Sequence, residues 1–395
     1  MVSPAIGVLC SGDPRAPSTW SGTPSGVVRG LSGFGVIVRG ISVDAPPLIS
    51  SGLSLVAGSA MVGANPRWGA RRNGGCLTRT ELHGVGSLSP VVAAMRSLVA
   101  RWRLRRCAPV DALIQIGTGY SVTATVPIVT FEDMTVVQAR ESGSDVWHAL
   151  TDRAFAARVA RQLDAYQRAR ACCTTSHWAA SSIISDYGIP ADKVHVVGVG
   201  RNFEPIGVRA ERDWSQPRFL FVGLDWERKN GPRVLAAFSR LRADVPNAAL
   251  DVVGAHPPLR ADGVVGHGVL RLDDDSDRRQ LGQLFARATC LVMPSLHEPS
   301  AQAYVEASAW GIPSIVTSKG GSPELVDDGG IIVDPLDDEG LLEAMRALCD
   351  PATAARLGGL AQRRSSLFTP RAMAGRLLRA LELPTIGIEG LPAFL

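Results

Sequence analysis

The chain has 395 residues, 46% of them hydrophobic and 20% charged, with a mean hydropathy of +0.11. That length calls for two or three domains, and that apolar content excludes a disordered chain, which lacks the surface to offset its ordering entropy. Forty-one basic against 37 acidic residues leave a net charge of +4, too weak to call for a nucleic-acid partner.

Seven cysteines without C-x-x-C spacing and seven histidines without H-x-x-x-H spacing predict neither a disulfide framework nor a metal site. Met1-Val-Ser-Pro lacks the basic start and apolar run of a signal peptide. The most lipophilic stretch, Leu48 to Ala64, is broken by Ser and Gly and is too short to span a bilayer. A cytoplasmic protein is expected.

In chain order, Ala5–Cys10, Gly35–Val43, Ala112–Gly117, Pro127–Phe131, Cys172–Ser176 and Val194–Val199 read as strands. Between them, Ser25–Leu31, Ser89–Arg106, Asp152–Arg170 and Trp178–Tyr187 read as helices. Residues 203–216 have no period and read as a linker. The second half repeats the plan with strands Arg218–Val222, Ala249–Val253, Cys290–Met293, Pro313–Thr317 and Gly330–Val333. Its helices are Gly231–Ala243, Asp277–Ala288, Ala301–Trp310, Glu339–Leu348 and Ala352–Ser366, followed by Pro370–Leu383. Strand–helix alternation at this spacing predicts an α/β chain of two doubly wound, Rossmann-like domains. The expected division is 1–208 and 209–369, with a C-terminal helix of about 370–395 returning to the first domain. Ligands in such sheets bind at the carboxyl ends of strands.

Three stretches at strand ends carry the chemistry. The strand at 290–293 leads through Glu298 into a helix that contains Glu306, eight positions on. One carboxylate at the loop tip and one inside the helix flank a helix N-terminus, a seat for phosphate or sugar oxygens. The competing reading puts Glu306 on a solvated face and makes Glu298 a cap.

The strand at 218–222 leads through Gly223 to Arg228 and Lys229, just before a helix opening at Gly231-Pro232. Cations there oppose the helix dipole unless an anion lies between them, so a pyrophosphate clamp is expected; a solvated Glu-Arg-Lys loop is the alternative. Lys229 is one of only three lysines, with Lys193 and Lys319. The first strand leads into a Gly/Ser/Thr/Pro loop, residues 11–26, whose backbone can approach a ligand closely. In the first half, Glu132-Asp133 ends a strand, and a turn or cap role is the plain alternative for Asp133. Asp275 or Ser276 reads as a helix N-cap, with a metal-binding D-x-D in the Asp273–Asp277 run as the alternative. The basic run Arg101–Arg106 reads as an exposed helix, with binding of acidic lipid at a membrane periphery or of an anionic acceptor as its other reading.

Taken together, these stretches resemble the retaining, nucleotide-sugar-dependent glycosyltransferases of family four. They carry Glu298-x7-Glu306 within Pro-Ser-Leu-His-Glu-Pro-Ser, Val222-Gly…Trp226-Glu-Arg-Lys, and Gly320-Gly-Ser-Pro-Glu-Leu-Val. The resemblance implies a GT-B fold, two Rossmann-like domains facing a central cleft, with acceptor binding in the first and donor binding in the second. It implies transfer of a sugar from a nucleoside diphosphate sugar to an acceptor hydroxyl, with retention, without a metal and with no cofactor beyond the donor.

The roles implied are Arg228 and Lys229 on the donor diphosphate, Glu298 on the sugar hydroxyls and Glu306 on the ribose. Gly223 and the backbone of Ser300, Ala301 and Gln302 would meet the donor, Gly22 and Thr23 would line the cleft, and Glu132 and Asp133 would contact donor or acceptor. The chain departs from the family at Ser300-Ala301, where Phe-Gly is usual, and at Leu224, where an arginine is frequent. Glu132-Asp133 stands in place of the family's usual histidine. A sugar epimerase on the same fold and a non-catalytic sugar-nucleotide-binding relative are the alternatives.

Overall fold

The computed structural model describes residues 3–65, 78–143, 145–205, 212–383, 390 and 394. Apolar runs of four to six residues give most of its strands, because a run buried on both faces has no polar side to turn to water. In the first half these are β1 (Ala5–Cys10), β2 (Ile37–Ser42), β3 (Ala112–Ile116), β4 (Ile128–Glu132), β5 (Ala171–Thr174) and β6 (Val194–Val196). They form one parallel sheet in the order β2-β1-β3-β4-β5-β6. In the second half, β7 (Arg218–Val222), β8 (Ala249–Val253), β9 (Val264–Gly268), β10 (Cys290–Met293), β11 (Ser314–Thr317) and β12 (Gly330–Val333) form a second. Its order is β12-β11-β10-β7-β8-β9, again parallel.

The chain divides into two compact units. One comprises Met1–Thr19, Val27–Val197 and Ala374–Gly390; the other comprises Trp20–Gly26, Gly198–Met373 and Leu391–Leu395. The expected boundary at 208–209 lies outside the described residues. The last helix runs Pro370–Leu381, and Arg376 Nη1 donates to the Val197 carbonyl at 2.8 Å. Of the expected continuation to residue 395, most lies outside the described residues.

Several elements differ from expectation for local reasons. Strand β9 escaped the reading because it is a short edge strand ending in Gly-His-Gly, paired through a register shift at Val252/Val253. Helix Pro47–Gly63 has no charged residue and hence no visible polar face. Helix Arg79–Ser87 is set by a capping box, with the Thr78 hydroxyl accepting from Glu81 N at 3.2 Å and the Glu81 carboxylate accepting from Thr78 N at 2.8 Å. The N-cap of helix Asp275–Arg287 is Asp274, not Asp275 or Ser276: its Oδ1 accepts from the Ser276 and Asp277 amides at 2.8 and 3.0 Å.

Candidate active site

In the second sheet β7 and β10 are neighbours, while β8 lies on the far side of β7. The order therefore reverses between β7 and β10, and the loops after these two strands share the switch point where ligands of such sheets bind. Gly223 follows β7, and a Cβ there would stand 2.8 Å from Lys229 Cγ. Asn230 is left-handed at φ 65, and its buried amide donates to the carbonyls of Pro294 at 3.0 Å and Pro335 at 2.7 Å. The Leu296 amide donates to the Arg228 carbonyl at 2.8 Å. These bonds fix the Arg228-Lys229 turn against the loop after β10, one residue before helix Gly231–Asp244 begins.

That loop carries Glu298, which is 5% exposed. Its amide donates to the Lys319 carbonyl at 3.1 Å and its carbonyl accepts from Ser322 Oγ at 3.0 Å. Gly320, at φ +98, lies so close to that carbonyl that no side chain fits. Lys229 Nζ forms an ion pair with Glu298 Oε2, Arg228 Nη1 lies 3.4 Å from the same oxygen, and Ser295 Oγ donates to it at 3.3 Å. Burial alone would raise the Glu298 carboxyl, but the Lys229 and Arg228 charges outweigh it and hold it below the ordinary glutamate value. Burial pulls the Lys229 ammonium down despite the attraction of Glu298, and Arg228 adds to that. Burial likewise lowers His297, whose carbonyl accepts from Arg228 Nη1 at 3.1 Å. The result is a buried carboxylate, fixed in its charged form, beside two cations at a helix N-terminus.

Four residues beyond Glu298, helix Gln302–Ala309 begins, with Ala301 as an N-cap that offers no side-chain acceptor. Ser300 is half-buried, Ala301 and Gln302 are buried, and Glu306 is 4% exposed. Glu306 Oε1 accepts from Asn202 Nδ2 at 3.0 Å, and the same amide donates to the Ser21 carbonyl at 2.9 Å. Trp20, Ser21 and Gly22 are left-handed in succession, at φ 49, 53 and 88. Such a run is costly for non-glycine residues and persists only when its surroundings hold it. Asn202 is one such hold, and it leaves no space for a Cβ at Gly22. Gln302 Nε2 donates to Thr23 Oγ1 at 3.1 Å, while its own Oε1 is buried without a hydrogen-bond partner.

The structure thus gathers Arg228, Lys229, Gly223 and Glu298 in one cluster and Gly22, Thr23, Gln302 and Glu306 in another, joined by the segment 298–302, all within the second unit. Asn202, Asn230 and Ser295 were not singled out by the sequence. Asn230 had a signal in its place before Gly-Pro at a helix start; Asn202, between an expected strand and the linker, had none.

Glu132 and Asp133 belong to the first unit. Glu132, 9% exposed, ends β4. Its Oε1 accepts from the Thr118 amide at 2.7 Å and hydroxyl at 2.5 Å; its Oε2 accepts from Gln162 Nε2 at 2.8 Å and from the Tyr166 hydroxyl. Tyr187 donates to Gln162 Oε1, which also accepts from Val136 N at 2.7 Å. Burial raises the Glu132 carboxyl, and these donors offset it only in part. Its carboxylate is therefore taken up inside the unit. Asp133 is half-buried, and the cap of the next helix, Val136–Glu141, is Thr135 instead.

Residues 216–350 match the family model "Glycosyl transferases group 1". Over that stretch the chain is similar to the group 1 glycosyl transferases. The chain is 35% identical over 177 residues to glycogen synthase of Mycobacterium tuberculosis, a match that takes in 40% of this chain and only 40% of the synthase. Over a longer stretch of 286 residues the chain is 26% identical to the MMP alpha-(1->4)-mannosyltransferase of Mycolicibacterium hassiacum, covering 68% of this chain and 67% of that one.

Among solved structures it is similar to sucrose-phosphate synthase from Thermosynechococcus elongatus, with a TM-score of 0.62 at 20% identity over 96% of this chain and 99% of the other. An alpha,alpha-trehalose-phosphate synthase from Burkholderia vietnamiensis gives a TM-score of 0.64 at 13% identity, over 97% and 99%. The fold is GT-B, as the sequence resemblance implied.

Proposed function

We propose that this protein transfers a sugar from a nucleoside diphosphate sugar to an acceptor hydroxyl, with retention at the anomeric carbon. The observation that carries the reading is the buried Glu298 carboxylate held between Lys229 and Arg228 at the switch point of the second sheet. In this reading the second unit binds the donor and the first the acceptor. Lys229 and Arg228 neutralise the charge that grows on the leaving diphosphate, the term that most lowers the barrier of such a step. That cationic pair makes a metal unnecessary.

Glu298 accepts from the donor sugar's hydroxyls and Glu306 from the ribose, while the backbone at Ser300, Ala301 and Gln302 and the segment at Gly22 and Thr23 border the donor. Gly223 gives the diphosphate close access to the turn. The acceptor oxygen bonds to the anomeric carbon as the carbon–phosphate oxygen bond breaks, and its proton passes to the leaving phosphate oxygen on the same face. A cytoplasmic location belongs to the proposal, in keeping with the free thiols of Cys10, Cys172, Cys173 and Cys290.

The test is release of nucleoside diphosphate from a panel of uridine, adenosine and guanosine diphosphate sugars, with and without sugar and sugar phosphate acceptors. Acceptor-dependent release that is lost in Glu298→Gln and Lys229→Ala supports the transfer. Donor binding without release from any acceptor would instead favour a non-catalytic sugar-nucleotide binder, and interconversion of the donor sugar without acceptor would favour an epimerase.

A further inference from the structure

Surface helices normally turn a charged or polar face to water. Helix Pro47–Gly63 has no charged side chain. One of its faces is closed against helix Arg79–Ser87, where Gly58 meets the Leu82 carbonyl and Gly86 the Ser54 carbonyl too closely for a Cβ on either. Its other side leaves Leu48, Ile49 and Val56 in solvent, Leu48 at 91% and Val56 at 70% exposed.

Helix Pro90–Arg106 packs beside it and contains five arginines and no acidic residue. Val92, Ala93 and Ala100 are buried, and Val91, Leu98 and Trp102 are exposed at the spacing of one helical face. Arg96 and Arg103 turn to the protein: Arg96 pairs with Asp44 at 2.7 Å and Arg103 donates to the Ser42 carbonyl at 2.6 Å. Arg101, Arg105 and Arg106 are exposed and ion-pair with no carboxylate among the described residues, and Arg106 lies 4.3 Å over the Trp102 ring. Six of the 15 exposed large apolar side chains among the described residues lie on these two helices, so the patch is a concentration and not background.

We propose that these two helices of the first unit dock onto the surface of an anionic phospholipid bilayer. The apolar side chains enter the boundary between headgroups and acyl chains, Trp102 sits at the headgroup level, and Arg101, Arg105 and Arg106 meet lipid phosphates. Charge decides the occupant. A two-fold contact with a second copy would set these arginines against one another, whereas an anionic surface satisfies both the apolar stripe and its unpaired cations. The helices lie on the surface and do not cross it: no helix among the described residues is long and apolar enough to span a membrane.

The test is flotation of the full chain with vesicles of phosphatidylcholine alone and with roughly a third phosphatidylglycerol. The expected result is binding about tenfold or more stronger to the anionic vesicles, weakening as salt rises. The double substitution Arg101→Glu and Arg105→Glu removes most of it, by about tenfold or more, and Trp102→Ser and Val56→Ser each reduce it several-fold at an unchanged thermal midpoint. Failure to bind anionic vesicles, equal binding to neutral ones, or binding indifferent to the charge reversal overturns the proposal. So does a concentration-dependent dimer in sedimentation that Leu98→Asp abolishes, which would assign the face to a second copy. The comparison of the two vesicle types uses only the wild-type chain and stands whatever the variants do to folding.

Discussion

Two carboxylates, one in each unit, are nearly equally withdrawn from solvent and meet opposite surroundings. Glu132 ends β4 of the first sheet and is held by neutral donors: the Thr118 amide and hydroxyl, the Gln162 amide and the Tyr166 hydroxyl. Its carboxyl is raised by burial that those donors do not fully offset. Glu298, in the loop after β10 of the second sheet, faces an ammonium and a guanidinium, and its carboxyl is depressed. Burial alone therefore does not mark an acid that acts on a ligand. A carboxylate wrapped in neutral donors has spent its acceptor capacity on the fold. One held by cations beside a helix N-terminus keeps a charge pattern that a phosphate and a sugar can share.

The sharpest way to break this contrast is Lys229→Ala, which leaves Glu298 buried without its ammonium and removes one cation from the proposed diphosphate site. Donor turnover is expected to fall by about 10²–10³-fold, read as nucleoside diphosphate release, whereas Glu132→Gln leaves it near the wild-type rate. Equal losses in the two variants would erase the distinction.

A smaller effect is expected at Asn202→Asp. It sets a second carboxylate against Glu306 and faces the Ser21 carbonyl with an acceptor in place of a donor. The cost is about 1–3 kcal/mol, appearing mainly as a raised KM for the donor, with kcat much less affected. A loss confined to kcat would argue against Asn202 as the residue that positions Glu306.

On the structural side of the contrast, Glu132→Gln replaces an all-acceptor group with one that carries its own donor among four donors. Unfolding in urea is expected to show a loss of about 1–3 kcal/mol. The two carboxyls also give opposite pH signatures. Glu298, depressed in the fold, contributes stability that is complete above the ordinary glutamate value and is lost as pH falls through its own lower value. Glu132, raised in the fold, contributes stability that is complete below the ordinary glutamate value and is lost as pH rises through its own higher value. Urea midpoints between about pH 2 and pH 8 check both signs: Glu298→Gln flattens the acid limb and Glu132→Gln the opposite one. The smallest expected change is Tyr166→Phe, which removes one of four donors to Glu132 and costs about 1 kcal/mol without altering donor turnover.

Much of this was legible in the sequence where a periodic pattern or a strand end carried it. The apolar runs that became β1, β7, β8, β10 and β12 were read to the residue, because strands buried on both faces show as unbroken apolar segments. Glu298, Lys229 and Arg228 stood out because each follows such a strand. Helix Pro47–Gly63 was not read, since it lacks the alternation of polar and apolar faces on which reading depends. The Asn202–Glu306 link was also beyond reach: it joins residues 104 positions apart through one amide. The surroundings that set Glu132 apart from Glu298 are contributed by Thr118 in a loop and by Gln162 and Tyr166, which the sequence gives only as unremarkable positions on a helix.

The central claim is that Lys229 and Glu298 form the core of a donor site. Calorimetric titration of the full chain and its Lys229→Ala variant with uridine, adenosine and guanosine diphosphates tests it most directly, with Glu132→Gln as the comparison. The account predicts that the wild type binds at least one of the three, that Lys229→Ala weakens that binding about tenfold or more, and that Glu132→Gln leaves it unchanged. No binding of any of the three, or binding indifferent to Lys229, would contradict it.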